Sequence, residues 1–149
     1  MKPHRRLAQM RELELLQRVA RDAAAADVAE AQAREREARD EAERRDGRVG
    51  DLARAWHDHI GGARFMPELA GAIAGALLDA QGAASAAADH VARAAGRTEA
   101  ETDNWRSVET RTRATGRIAR DLARDVARRD GEDLMAAVEE RALLMRRRI

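Results

Sequence analysis

Apolar and small residues recur along this chain in alternating steps of four and three. In the first half the cadence passes through Ala24, Val28, Ala31, Ala38, Ala42, Val49, Leu52 and Trp56, with Glu35 and Arg45 as polar insertions. The second half repeats it through Ile73, Leu77, Ala80, Ala84, Ala87, Val91, Ala94, Thr98, Glu101, Trp105, Val108, Thr112 and Thr115. A period between three and four residues is the seam of a coiled coil, in which side chains of one helix fill the gaps of another. Helix should break at one place only. Neither Arg5 to Ile60 nor Glu68 to Ile149 contains a proline, whereas Gly61-Gly62 and Pro67 fall between them. Gly-Gly is expected to end a helix by supplying positive φ, and proline has its φ pre-set for the first helical position. The pattern therefore predicts an all-α protein, a long two-helix antiparallel coiled-coil hairpin forming one domain over 1–149. Helix one should cover about 5–60, the turn 61–66 and helix two about 67–146. At ~1.5 Å per residue the arms would reach roughly 80 and 120 Å, a rod or stalk.

Folding at the Gly-Gly turn predicts facing residues whose numbers add to about 126. Trp56 then lies near Ala70, Leu52 near Ile73, Val49 near Leu77, Ala20 near Trp105, Leu16 near Val108 and Leu7 near Ile118. Helix one runs out first, so everything from about Asp121 onward should form an overhang without a partner in the chain. That overhang is not polar all round. Leu122, Val126, Leu134, Val138, Leu143 and Leu144 make an apolar stripe, which suggests an external partner, the other reading being a frayed, solvated end that orders only on binding. At the other end Trp56, beside Val49 and Leu52, is either an accessible anchor for a partner or a lid folded over Ile60, Phe65 and Met66. Gly71 and Gly75 have the small-xxx-small spacing of tightly packed helices, and Gly47 and Gly50 either admit the partner helix or weaken the arm.

Composition narrows the classes. Among 149 residues aromatics are 2% and tyrosine and cysteine are absent, so a thick core and disulfide or thiolate chemistry are unavailable. Charged residues make up 37% with a net of +1, acids and bases interleaved, and the one basic run is Arg146-Arg147-Arg148, which argues against nucleic acid. Leu69 to Leu78 falls far short of the ~20 apolar residues of a membrane span. His57 and His59, two residues apart on a helix, point about 200° apart and read as a solvated helix end. Without a phosphate loop or an activated nucleophile, no catalysis and no cofactor are expected.

The layout resembles the FliJ/YscO stalk proteins of flagellar and virulence type III secretion. Trp105-Arg106 sits in mid arm two. Val138-Glu139-Glu140-Arg141-Ala142 followed by Met145-Arg146 is similar to the hydrophobic-acid-acid-x-Ala segment with a basic end that closes that family. Val49, Leu52 and Trp56 repeat its spacing near the hairpin tip. The resemblance implies a cytoplasmic protein, free or peripheral at the inner face of the cell membrane. Its overhang (Leu122, Val126, Leu134, Val138, Glu139, Glu140, Ala142) would enter the hexameric export ATPase. Its tip (Val49, Leu52, Trp56) would reach the export-gate membrane protein, with secretion chaperones as further partners. The alternative is a generic coiled-coil scaffold or secretion chaperone that binds partner helices.

Overall fold

A computed structural model describes residues 3–146. Two helices account for nearly all of them, α1 (Pro3–Gly61, 59 residues) and α2 (Pro67–Arg146, 80 residues), without a strand among the described residues. The fold class is all-α, an antiparallel two-helix coiled-coil hairpin. Its contacts cluster into two units. The turn unit comprises Ala25–Asn104, and the terminal unit comprises the chain up to Ala24 together with the chain from Trp105 on.

In the turn unit the half-buried and buried positions of α1 are Val28, Ala31, Glu35, Ala38, Ala42, Val49, Leu52, Trp56 and His59, among others. Those of α2 include Ala70, Ile73, Leu77, Ala80, Ala84, Ala87, Val91, Ala94, Thr98 and Glu101. Ala31, Ala38, Ala70 and Ala80 are the buried core, 3–7% exposed, so the helices meet over methyl groups and the apolar area removed from water is small. Arg45, expected in the seam, is exposed.

The register is three residues away from the expected one. Arg21 lies 3.8 Å from Glu109, and a Cβ at Gly116 would stand 3.3 Å from Glu14 Oε1, pairs whose numbers add to 130. In the terminal unit Gln17 and Thr112, whose numbers add to 129, are bonded across the helices. Phase explains the shift. Antiparallel helices pack layer on layer only if a three-residue step on one opposes a three-residue step on the other. Pairing Trp56 with Ala70 would set the step from Trp56 to Leu52 against the shorter step from Ala70 to Ile73. Pairing His59 with Ala70 keeps every step in phase, and Trp56 then comes level with Ile73.

The turn closes without any glycine at positive φ, contrary to expectation. Gly62 N–H donates to His59 O at 3.4 Å, and a Cβ at Gly62 would stand 3.0 Å from the Asp58 carbonyl oxygen. Glycine is required there by close approach to the backbone, not by handedness. Pro67 opens α2, where a missing N–H costs nothing, and Met66 O accepts from Ala70 N–H at 2.9 Å.

In the terminal unit the period continues unchanged while the chemistry changes. The seam of α1 is Leu7, Met10, Glu14, Gln17, Arg21 and Ala24, and that of α2 is Trp105, Val108, Thr112, Thr115, Ala119, Leu122 and Val126. The expected partners Leu16 and Ile118 are 61% and 55% exposed, and Ala20 is exposed as well. Their places opposite Val108, Leu7 and Trp105 pass to Arg21, Leu122 and Ala24, because a helix cannot change its buried face without breaking the four-three cadence. The Thr112 hydroxyl lies 2.8 Å from Val108 O and 3.3 Å from Gln17 O, so it can donate along its own helix or across to α1. Val126 is 5% exposed and His4 meets Asp130 at 3.1 Å. The helix pair thus extends nine residues or so beyond the Asp121 limit expected from the register, and Leu122 and Val126 belong to it.

Candidate functional site

The sites that sequence singles out are two apolar surfaces, one toward the end of α2 and one at the turn. Beyond Asp130 every described residue is exposed, and Leu134, Met135, Val138, Leu143, Leu144 and Met145 are 53–72% exposed. Glu139, Glu140 and Ala142 are exposed with them. Extending the seam from Ala119, Leu122 and Val126 by the same steps reaches Arg129, Asp133, Ala136 and Glu140. The apolar residues Leu134, Val138, Ala142 and Met145 instead lie about a third of a turn or more around the helix, at ~3.6 residues per turn. Leu143, one step beyond Glu140, falls on the continuation of the seam, but these four residues do not, and a longer α1 in the same register would leave them uncovered.

Leu122 and Val126, assigned by sequence to this overhang, face α1 because the true register brings Leu7 and Pro3 level with them. Neither can serve an external partner without opening the helix pair.

At the turn, Val49, Leu52 and Trp56 are all half-buried in the seam. Ile60, Phe65, Met66 and Leu69 around them are 44–59% exposed. The turn is held by His59, read from sequence as part of a solvated helix end. Its ring nitrogen Nε2 lies 3.2 Å from Met66 N and 3.1 Å from Met66 O. One tautomer accepts from the N–H and the other donates to the carbonyl. The imidazole also stands against Phe65, with ring centroids 5.6 Å apart at 33°. Trp56 thus contributes its bulk to the seam, and the contacts that close the turn are those of His59. Spacing from His59 to Met66 across a Gly-Gly turn was the signal available in the sequence.

A third apolar surface was not foreseen. Leu15, Leu16 and Val19 of α1 are each 61% exposed and lie on the side of the helix away from Glu14, Gln17 and Arg21. A helical-wheel projection of α1 finds them once Ala24 fixes the buried face.

The small-residue pairs are not packing devices. A Cβ at Gly47, Gly71 or Gly75 would meet no atom within 4 Å, since these positions lie off the close contacts of the seam. Surface ion pairs follow the helical spacing, as in Glu35–Arg39 and Glu41–Arg45. Arg44 also turns to Glu41, at 2.8 Å. Such surface pairs add little to stability. Among the described residues no helix is long and apolar enough to cross a membrane, and no group of three or more metal-ligating side chains converges. No protein-family model, curated protein or solved structure matches the chain.

Proposed function

We propose that the chain is a stalk and coupling component of a type III, flagellar-type protein export apparatus, linking a hexameric export ATPase to the export-gate membrane protein. The observation that supports this reading is the distribution of exposed apolar residues. Large ones gather around the turn (Ile60, Phe65, Met66, Leu69, Leu78) and in the terminal unit (Leu13 to Val19, Ile118, Leu134 to Met145). The arms between carry none. A protein built to hold one partner at its turn and another at its terminal segments needs that pattern, because an exposed apolar patch gains free energy only when something covers it. The chain binds and couples; it does not catalyse.

In this reading Leu134, Val138 and Ala142, flanked by Glu139 and Glu140, meet the ATPase. The exposed ring of Phe65 and Met66 around Trp56, Leu52 and Val49 meets the gate. Isothermal titration against the export ATPase of the same genome tests the first contact. Leu134→Ser/Val138→Ser should weaken binding by about tenfold or more, as loss of a central apolar anchor does. Trp56→Ala should weaken binding to the cytoplasmic part of the gate by a similar factor. If the intact chain binds neither protein, the export reading fails. The alternative of a scaffold or secretion chaperone that binds partner helices then stands, and Leu15, Leu16 and Val19 are the observation that favours it.

A further inference from the structure

One side of the terminal unit concentrates positive charge to a degree the overall net of +1 conceals. Arg18 and Arg21 of α1 and Arg113, Arg117 and Arg120 of α2 line a single groove of about 520 Å³, with Glu14 the one acidic residue in its wall. Glu14 is taken by Arg18 at 2.5 Å. Glu109, beside the groove, holds Arg113 at 2.7 Å and lies 3.8 Å from Arg21, which also meets Asp22 at 3.0 Å. Arg117 and Arg120 have no acidic partner among the described residues. Arg113, Arg117 and Arg120 follow one another at four- and three-residue spacing, so they stand on one face of α2 and repel one another. Like charges at that spacing cost a few tenths of a kcal/mol per pair in a free helix. An arrangement that disfavours the isolated protein is relieved by an anion.

The walls say which anion. Thr110, Thr112 and Gly116 complete them, and no apolar side chain faces the groove. A docked amphipathic helix needs an apolar floor, so a protein partner is disfavoured. Gly116 is buried, and a Cβ there would come within 3.3 Å of Glu14 Oε1 and 3.7 Å of an Arg120 guanidinium nitrogen. Its lack of a side chain leaves the floor open between arginines of the two helices. Planar guanidinium forks converging on a small polar groove suit tetrahedral oxyanions bound through two oxygens at once. The volume lies in the range of small-molecule sites, about 300–1,000 Å³.

We propose that this groove binds a compact polyanion bearing two or more phosphates, with Arg117 and Arg120 as its principal ligands and Arg18, Arg21 and Arg113 completing the charge. Free polyphosphate and a bisphosphorylated lipid headgroup share this chemistry. The site is independent of the apolar surfaces assigned above.

Isothermal titration of the full chain with inorganic tripolyphosphate, at near-physiological salt, tests the site. Flotation with phosphatidylcholine vesicles carrying cardiolipin supplies the lipid arm. Saturable binding is expected in at least one arm, and Arg117→Gln/Arg120→Gln should weaken it by about tenfold or more, the loss of two charge-assisted contacts. Arg93→Gln/Arg97→Gln removes the same charge from the turn unit and should leave binding unchanged. Circular dichroism keeps the test clean, because Arg117→Gln/Arg120→Gln removes a repulsion and should melt no lower than the parent. A response to tripolyphosphate assigns the soluble source, and a response to vesicles alone assigns the headgroup. Absence of saturable binding in both arms overturns the proposal. So does binding that survives Arg117→Gln/Arg120→Gln, or that falls equally with Arg93→Gln/Arg97→Gln.

Discussion

The same four-three cadence runs through both units, but the seam of the turn unit is rich in alanine with isolated Glu35, Thr98 and Glu101, whereas that of the terminal unit sets Glu14, Gln17, Arg21, Thr112 and Thr115 among Leu7, Val108, Ala119 and Val126. In the terminal unit Leu15, Leu16 and Val19 stand exposed while Leu7 is buried and Gln17 and Glu14 are half-buried. The comparison teaches that phase outranks polarity here. Once the alanine seam fixes which face of α1 is buried, the helix carries that face through Arg21 and Gln17, because turning to bury Leu16 would break the ladder of backbone hydrogen bonds or the packing cadence. The displaced leucines are then available. Burying one such side chain is worth roughly 1.5–3 kcal/mol, which is free energy a partner can collect and the hairpin cannot.

The largest effect should come from putting the chemistry of the terminal unit into the turn unit. Ala38 is 3% exposed, and Ala38→Asp forces a carboxylate into the close contact of the helices, so it should cost about 3 kcal/mol in thermal or urea unfolding. The reverse exchange should stabilise. Gln17 Oε1 is buried without a hydrogen-bond partner, whereas the bond that Thr112 makes to residue 17 uses the backbone carbonyl. Gln17→Leu should therefore raise stability by about 1–2 kcal/mol, the desolvation cost it removes. If Gln17→Leu destabilises, the terminal seam depends on its polar groups and the comparison is wrong.

Glycines sharpen the contrast at a smaller scale. Gly71→Ala, with open space around the new methyl, should stabilise by about 1 kcal/mol, while Gly62→Ala, pressed on the Asp58 carbonyl, should destabilise by a similar amount. Equal and opposite shifts in melting temperature are the expected readout. The smallest effect is electrostatic. Hydrogen bonds from Arg44 and Arg45 hold the Glu41 carboxyl below its ordinary value of 4.5. A depressed folded-state pKa contributes stability that is present above the unfolded value and fades as pH falls through the folded one. Parent and Glu41→Gln should thus differ slightly at neutral pH and converge in acid below about pH 4. The solvent that reaches the group keeps the difference small.

How much of this was legible in the sequence differs between the same two regions. Helix two begins at Pro67 as the proline and glycine punctuation indicated, and the seam from Ala24 to Trp56 and from Ile73 to Thr115 lies in buried or half-buried positions apart from Arg45. In those stretches the small residues and the period coincide, so either signal leads to the same face. Toward the N-terminus they part. Reading by hydrophobicity put Leu16 and Ala20 inside, whereas counting strictly back from Ala24 gives Arg21, Gln17 and Glu14. The register slipped by three residues for a related reason: folding at the Gly-Gly turn sets the sum of facing numbers without requiring steps of equal length to oppose one another. That slip shortened the helix pair and moved Leu122 and Val126 into the overhang. His59 was missed because histidines two residues apart were weighed only as metal ligands, not as a cap for the backbone across the turn.

The account turns on where the intramolecular seam ends and the external stripe begins, and paired truncations measure that boundary directly. Truncation after Asp130 keeps Ala119, Leu122, Val126 and the His4–Asp130 contact. It should leave the melting temperature nearly unchanged while abolishing binding to the hexameric export ATPase. Truncation after Arg120 strips Leu122 and Val126 from Leu7 and should lower the melting temperature measurably. Equal melting temperatures for the two truncations, or a chain ending at Asp130 that still binds the ATPase at full strength, would contradict the assignment of Leu134 to Met145 as the partner surface.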